Sequence, residues 1–272
     1  MSVAPTDRAL YAIVSGAAPS TIAEVVVVMQ WIDQALDDSD GLKWFNRLYM
    51  MVTQEVDQKP PAGGWKDPAW LVKLDVVFAD LYFTAVAEYL SGSADTPNAW
   101  KALMEARTRP GIDRIQFALA GMNAHINHDL ALALLEADKQ MNLVPGCDSP
   151  QHMDYEAVNG LLETVMPAEL KMLATDVLGQ LAQDTGKIGR LLAFWDVCKA
   201  RDLAWDFADH LRGLNALTRP VAMNAQDQVT GALGLYNESL GTTSDLYQYD
   251  RLKGREAPEP KAQRPWELAG GH

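Results

Sequence analysis

The sequence predicts an all-α fold: a single irregular bundle of about eight helices around a buried central helix. Three observations predict it. Apolar residues recur at helical spacing through most of the chain. Helix-start signals stand ahead of those segments. No β alternation of useful length, no hairpin signal and no fixed-period repeat occurs.

The elements follow in order. Thr21 and Glu24 have capping-box spacing ahead of EVVVVMQWIDQAL. Asp40-Gly41 opens LKWFNRLYMMVTQEV. Asp67-Pro68 gives an N-cap and a proline at the first helical position for AWLVKLDVVFADLYFTAVAEYL, which ends at Ser91-Gly92. Thr96-Pro97 repeats that signal before NAWKALMEAR, and Arg109-Pro110-Gly111 breaks the chain. A helix from Ile115 to about Gln140 follows, then a loop marked by Pro145, Gly146 and Pro150. Two long periodic segments come next, Asp154 to Asp184, with a kink or break expected at Pro167, and Lys187 to Leu214. A last helix is expected over Ala225 to Leu240. Residues 1–240 thus read as one helical domain. Residues 241–272, rich in proline, charge and small residues, read as a flexible tail with Trp266 as its one apolar anchor.

Composition narrows the function classes. A chain of 272 residues, 48% hydrophobic, can bury a sizeable core. A net charge of −13 without a basic cluster argues against nucleic acid and anionic membrane surfaces as partners. The longest apolar run, VVVVM at 25–29, is too short to span a bilayer, and the N-terminus lacks a secretory pattern. Cys147 and Cys198 form no CxxC motif, which fits a reduced, cytoplasmic setting.

The stretch FALAGMNAHINHDLALALLE, residues 117–136, carries the densest chemistry. At about 100° per residue, Gln116, Asn123 and Asn127 fall on one stripe, and His125, Asp129 and Glu136 on a second, roughly opposite. Apolar residues fill both sides between the stripes. A surface helix has one apolar face, so this helix runs through the middle of the bundle. A buried amide or carboxylate without a partner costs a few kcal/mol. The two stripes are therefore either a closed structural network or the wall of a site.

Other helices offer partners. Asp75 projects among Leu71, Phe78 and Tyr82, and reads as a buried carboxylate with a perturbed pKa or an ion partner. Arg201 projects into the apolar face of its helix and should seek a carboxylate, with Asp75 or Asp129 as candidates. Tyr155 and Asn159 also point inward, and Tyr49 and Tyr82 add phenol donors. Asp206 and His210 have metal-ligand spacing but lie on a highly charged, solvated face. His125, His128 and Asp129 could form a divalent metal site; HExxH and paired Glu-x-x-His motifs are absent, and no cofactor is expected. No nucleophile elbow, P-loop or dinucleotide fingerprint occurs.

What remains is general acid–base chemistry on a small, largely apolar molecule, of isomerase, cyclase, lyase or hydrolase type. His125, Asp129 and Asp75 would act as the catalytic set, with Asn123, Asn127, Arg201, Tyr155, Asn159 and Tyr82 holding the substrate. A non-catalytic small-molecule binder and a metal-dependent hydrolase stand as alternatives. LDVVFADLYF, QFALAGMNAHINHDLALAL, DYEAVNGLL and WDVCKARDLAW resemble an uncharacterised helical family of bacteria and fungi, a domain of unknown function, from about Thr21 to Leu240. NAHIN followed by Asp129 is the most specific feature of that resemblance. It implies an all-helical, cytoplasmic protein. The position of His128 is commonly arginine in that family, which weakens a paired-histidine metal site.

Overall fold

The start signals act largely as the sequence indicates. Helix α2 (Ile22–Ala35) begins where Thr21 Oγ1 accepts from the Glu24 N–H at 3.2 Å. Helix α3 (Gly41–Gln58) begins with Asp40 accepting from Leu42 N at 3.0 Å, and α4 (Pro68–Ser91) with Asp67 accepting from Trp70 N at 3.1 Å. Each cap satisfies one of the otherwise unpaired first-turn donors. The computed structural model describes residues 3–177 and 196–239, and the side chains of 3–166 and 196–235 among them.

Helix α5 (Asn98–Ala106) starts differently from expectation. Thr96 does not cap it; its hydroxyl donates to Ser93 O. The cap comes from Asp227, which accepts from the backbone of Asn98 at 3.0 Å and of Ala99 at 2.9 Å. Asp227 lies on α10 (Thr218–Ser239), so a long-range carboxylate both closes the helix end and staples two helices together.

The central rod is α6 (Arg114–Ala124), one π-helical turn (His125–Asp129) and α7 (Leu130–Met141) in unbroken succession. Every residue from Ile115 to Ala124 is buried. Around the rod pack α3, α4, α5, α8 (Pro150–Val177), α9 (Val197–Gly213) and α10. The expectation of a buried central helix is met. Contact with α3 is close because two glycines receive two phenylalanines: a Cβ on Gly121 would lie 2.3 Å from the Phe45 ring, and one on Gly41 2.4 Å from the Phe117 ring. One contiguous apolar core runs from Leu10 to Ala208.

Some boundaries differ. Helix α1 (Arg8–Gly16) has no counterpart among the expected segments. Helical geometry continues past Pro167, where a break or kink was expected. Helix α9 is described from Val197, and α10 begins at Thr218, ahead of the expected Ala225. Residues 178–195 and the expected tail 241–272 with Trp266 lie outside the described residues. Among the described residues no helix is long and apolar enough to cross a membrane.

Candidate functional site

Helix α3 is amphipathic, and its buried face carries Tyr49 and Thr53 one turn apart. On α4, Asp75 and Phe78 face the same space. The π turn brings His125, α8 brings Tyr155, and α9 brings Arg201. Together with apolar side chains such as Leu71, Leu74, Met122, Val158 and Leu162 they wall a cavity of about 60 Å³. That is room for roughly four to six water-sized groups.

His125 is held on three sides. Its ring stacks on Phe78, centroids 3.5 Å apart and planes 6° from parallel, and the edges of Tyr49 and Phe45 close on it at 4.4 and 5.7 Å. Its Nδ1 lies 3.0 Å from Asp129 Oδ2. The same oxygen accepts from Trp100 Nε1 at 2.9 Å, while Oδ1 is 2.7 Å from His128 Nδ1. Burial pushes the Asp129 carboxyl up, but hydrogen bonds from His125 and His128 outweigh it and hold the group below its usual range. An ionised Asp129 only accepts, so both histidines carry their proton on Nδ1. Burial lowers the His125 pKa against the pull of Asp129, which keeps the imidazole neutral near pH 7. Its Nε2 is then a bare lone pair, and among the described residues it has no partner. His128 is the reverse case: burial lowers its pKa, but Asp129 and Asp227 raise it further, so the net shift is upward.

Among the described residues, four buried polar atoms around the cavity lack a hydrogen-bond partner: Tyr49 Oη, Thr53 Oγ1, Asp75 Oδ2 and His125 Nε2. Tyr49 and Thr53 are close to one another but make no bond of good geometry. Burial, with a smaller contribution from Asp75, drives the Tyr49 phenol well above its ordinary pKa, so it stays a proton donor. Asp75 is only half-buried as a residue, yet its Oδ2 meets neither solvent nor a donor. Burial, followed by repulsion from Asp57, pushes its carboxyl up to about 7. An orphaned buried polar atom costs about 1–3 kcal/mol, so four around one cavity form a concentration of uncompensated cost that packing alone does not explain.

Arg201 reaches the cavity without the carboxylate expected for it. Its Nε donates to Asn159 Oδ1 at 2.6 Å, its Nη2 to Tyr155 O at 3.0 Å, and its guanidinium lies 4.2 Å over the Tyr155 ring. Neither Asp75 nor Asp129 pairs with it. Tyr155 donates its hydroxyl to Arg201 O at 2.5 Å and offers the cavity a ring. Asn159 also donates to Glu156 and Asp202, so it positions Arg201 and does not line the cavity.

The asparagine stripe has another fate. Asn123 Nδ2 donates to Thr230 O at 3.0 Å, Asn127 Nδ2 to Asn123 Oδ1 at 2.9 Å, and Gln226 donates to Asn127 O at 2.7 Å. The Asn123 amide and the Asn127 backbone carbonyl tie the rod to α10, and the Asn127 amide braces Asn123. Neither asparagine lines this cavity, where they were expected to hold substrate. Tyr82 likewise does not line it: its hydroxyl donates to Asn46 Oδ1 at 3.3 Å and its ring stacks on Trp100, behind His125. The residues of the metal alternative bond to one another. His125 and His128 spend Nδ1 on separate oxygens of Asp129, and His128 Nε2 faces Asp227 at 3.7 Å. Among the described residues no group of three His, Cys, Asp or Glu side chains is arranged to hold a metal ion. Asp206 and His210 are exposed, as expected.

Sequence reasoning missed Thr53, the Phe78 stack, the Trp100 anchor and the Asp227 staple. Thr53 carried a signal, a polar residue four after Tyr49 on an apolar face. Trp100 and Asp227 carried none, because each meets its partner only in the folded bundle.

Fold and site together define an all-helical protein whose central rod presents a histidine–aspartate pair to a small cavity with an apolar wall. The chain belongs to the family of unknown function DUF5995, which it matches over residues 22–236. No curated protein and no solved structure matches it.

Proposed function

We propose that the protein is an enzyme that moves a proton on a small, largely apolar organic molecule, as in an isomerisation or dehydration. The observation that carries this reading is the convergence of four unpartnered polar atoms on one cavity. The groups have complementary states near neutral pH. His125 Nε2 offers a lone pair as base. The Asp75 carboxyl, raised to about 7, offers a proton as acid. Environments that push two titratable groups toward opposite roles are the pattern of acid–base sites. The Tyr49 and Thr53 hydroxyls are placed to donate to a developing oxyanion. Asp129, ionised and held by Trp100 and His128, fixes the His125 tautomer and steadies the imidazolium that forms.

The test does not need the natural substrate. The protein is incubated in deuterated water with small ketones, aldehydes, hydroxy acids and carboxylic acids, and C–H to C–D exchange is followed by proton NMR. Wild type exchanges one class, and His125→Gln loses that exchange while keeping its fold. Ligand binding by wild type without exchange of any class refutes catalysis and leaves a non-catalytic small-molecule carrier.

A further inference from the structure

The Arg201 guanidinium adds a demand that proton transfer does not use. The residue is 7% exposed and borders the cavity. Among the described residues it forms no ion pair, and its hydrogen bonds go to one amide oxygen and one backbone carbonyl through Nε and Nη2. No bond from Nη1 is found among these residues. Those two bonds and the Tyr155 ring beneath fix the fork in place without neutralising it. A buried charge is ordinarily paired, and a guanidinium held as a planar fork suits a carboxylate. Asp75 borders the same cavity but forms no salt bridge with Arg201, so the two polar ends stand apart with apolar wall around them.

Resting on the reading of this cavity as a substrate site, we infer that its ligand is a short-chain carboxylic acid whose carboxylate pairs with Arg201 while its hydrocarbon body lies against Leu71, Leu74, Val158 and Leu162. Size supports a small molecule: at about 60 Å³ the cavity takes a body of only a few heavy atoms, well under the 300–1,000 Å³ of drug-sized sites. The arrangement also orders the ligand. Because His125 and Asp75 line the same small cavity as Arg201, a ligand whose carboxylate pairs with Arg201 would undergo proton transfer at a carbon near its acid group.

The test uses the full-length protein with sodium propionate and sodium butyrate, beside the uncharged isosteres propionamide and butyramide. Binding is read by saturation-transfer NMR and by calorimetry. The expected result is that the acids bind wild type at least about tenfold more tightly than the amides, the discrimination of one charge-assisted hydrogen bond. Arg201→Gln erases that preference and Arg201→Lys keeps part of it. The wild-type comparison stands even if the Arg201 variants fold poorly. Acids and amides binding equally, both displaced by the cavity-filling Leu74→Trp, overturns the carboxylate inference and leaves the cavity as a site. Failure of both series to bind overturns the carboxylate inference, while deuterium exchange on another class would preserve the cavity as a site.

Discussion

Replacing Asp75 by asparagine should make this protein more stable at neutral pH, and by an amount that depends on pH in one direction. The carboxyl moves from an ordinary 3.8 to about 7 because burial and Asp57 disfavour its charge. At 1.36 kcal/mol per pH unit, that rise is worth about 4 kcal/mol. The residue as a whole is only half-buried, so the figure is discounted to about 2–4 kcal/mol. Below the ordinary value both folded and unfolded chains hold the proton, and the group contributes nothing. Between about 4 and 7 the unfolded chain releases its proton while the folded one keeps it, so wild-type stability falls as pH rises. Above about 7 the penalty is constant. Asp75→Asn removes it, so the variant gains on wild type from pH 4 to 7 and then holds its lead. Urea unfolding of both proteins at several pH values between 4 and 8.5 measures the difference, and other carboxylates cancel in the subtraction. The same substitution removes the proposed acid, so turnover on an identified substrate should drop by about 10²–10⁴. A variant less stable than wild type at pH 8, or a pH-independent difference, would mean that Asp75 is satisfied in the folded protein and that the cavity is not polar in the sense argued.

Two further outcomes check the supports of the site. Gly121→Ala places a methyl 2.3 Å from a Phe45 ring carbon, so the α3–α6 contact must open; a loss of about 1–3 kcal/mol is expected in urea unfolding. His128→Gln should cost about 1–2 kcal/mol at pH 6, because its pKa is raised and its charge stabilises the fold while protonated. That cost should shrink as pH rises above the ordinary 6.5, and a cost that grows toward pH 9 would contradict the pairing with Asp129 and Asp227.

Much of this arrangement is legible in the sequence where the information is local. Thr21, Asp40 and Asp67 cap helices because a cap acts over three residues. Asp75, Tyr155 and Arg201 reach the cavity, and Asn159 points inward, because helical spacing decides which side of a helix meets the core. The His125–Asp129 bond joins residues four apart. What escapes is what the bundle decides. Asp227 caps α5 across 129 positions, displacing the local signal at Thr96-Pro97. Trp100 finds Asp129 only once α5 lies against the rod. The π turn at His125–Asp129 follows from backbone hydrogen bonding that residue periodicity does not encode.

The projection of the central helix already contained the reason its two polar stripes part company. Residues on opposite sides of one helix cannot face one cavity, so only one stripe could belong to the site. The Asn123 amide donates to the α10 backbone, the Asn127 amide donates to Asn123, and Gln226 of α10 donates to the Asn127 carbonyl, which closes this network without a ligand. His125 meets α3 and α4, whose facing groups are a phenol, a hydroxyl and a carboxyl left as unpaired as its own Nε2. The bundle thus treats the same chemical problem in two ways along a single rod. It completes the network where helices must be joined. It leaves the network open at the cavity, with Asp129 fully satisfied behind His125 so that the one free nitrogen of the pair faces forward. Satisfying the anchor and not the group it anchors is the arrangement the proposed role of His125 as a base requires.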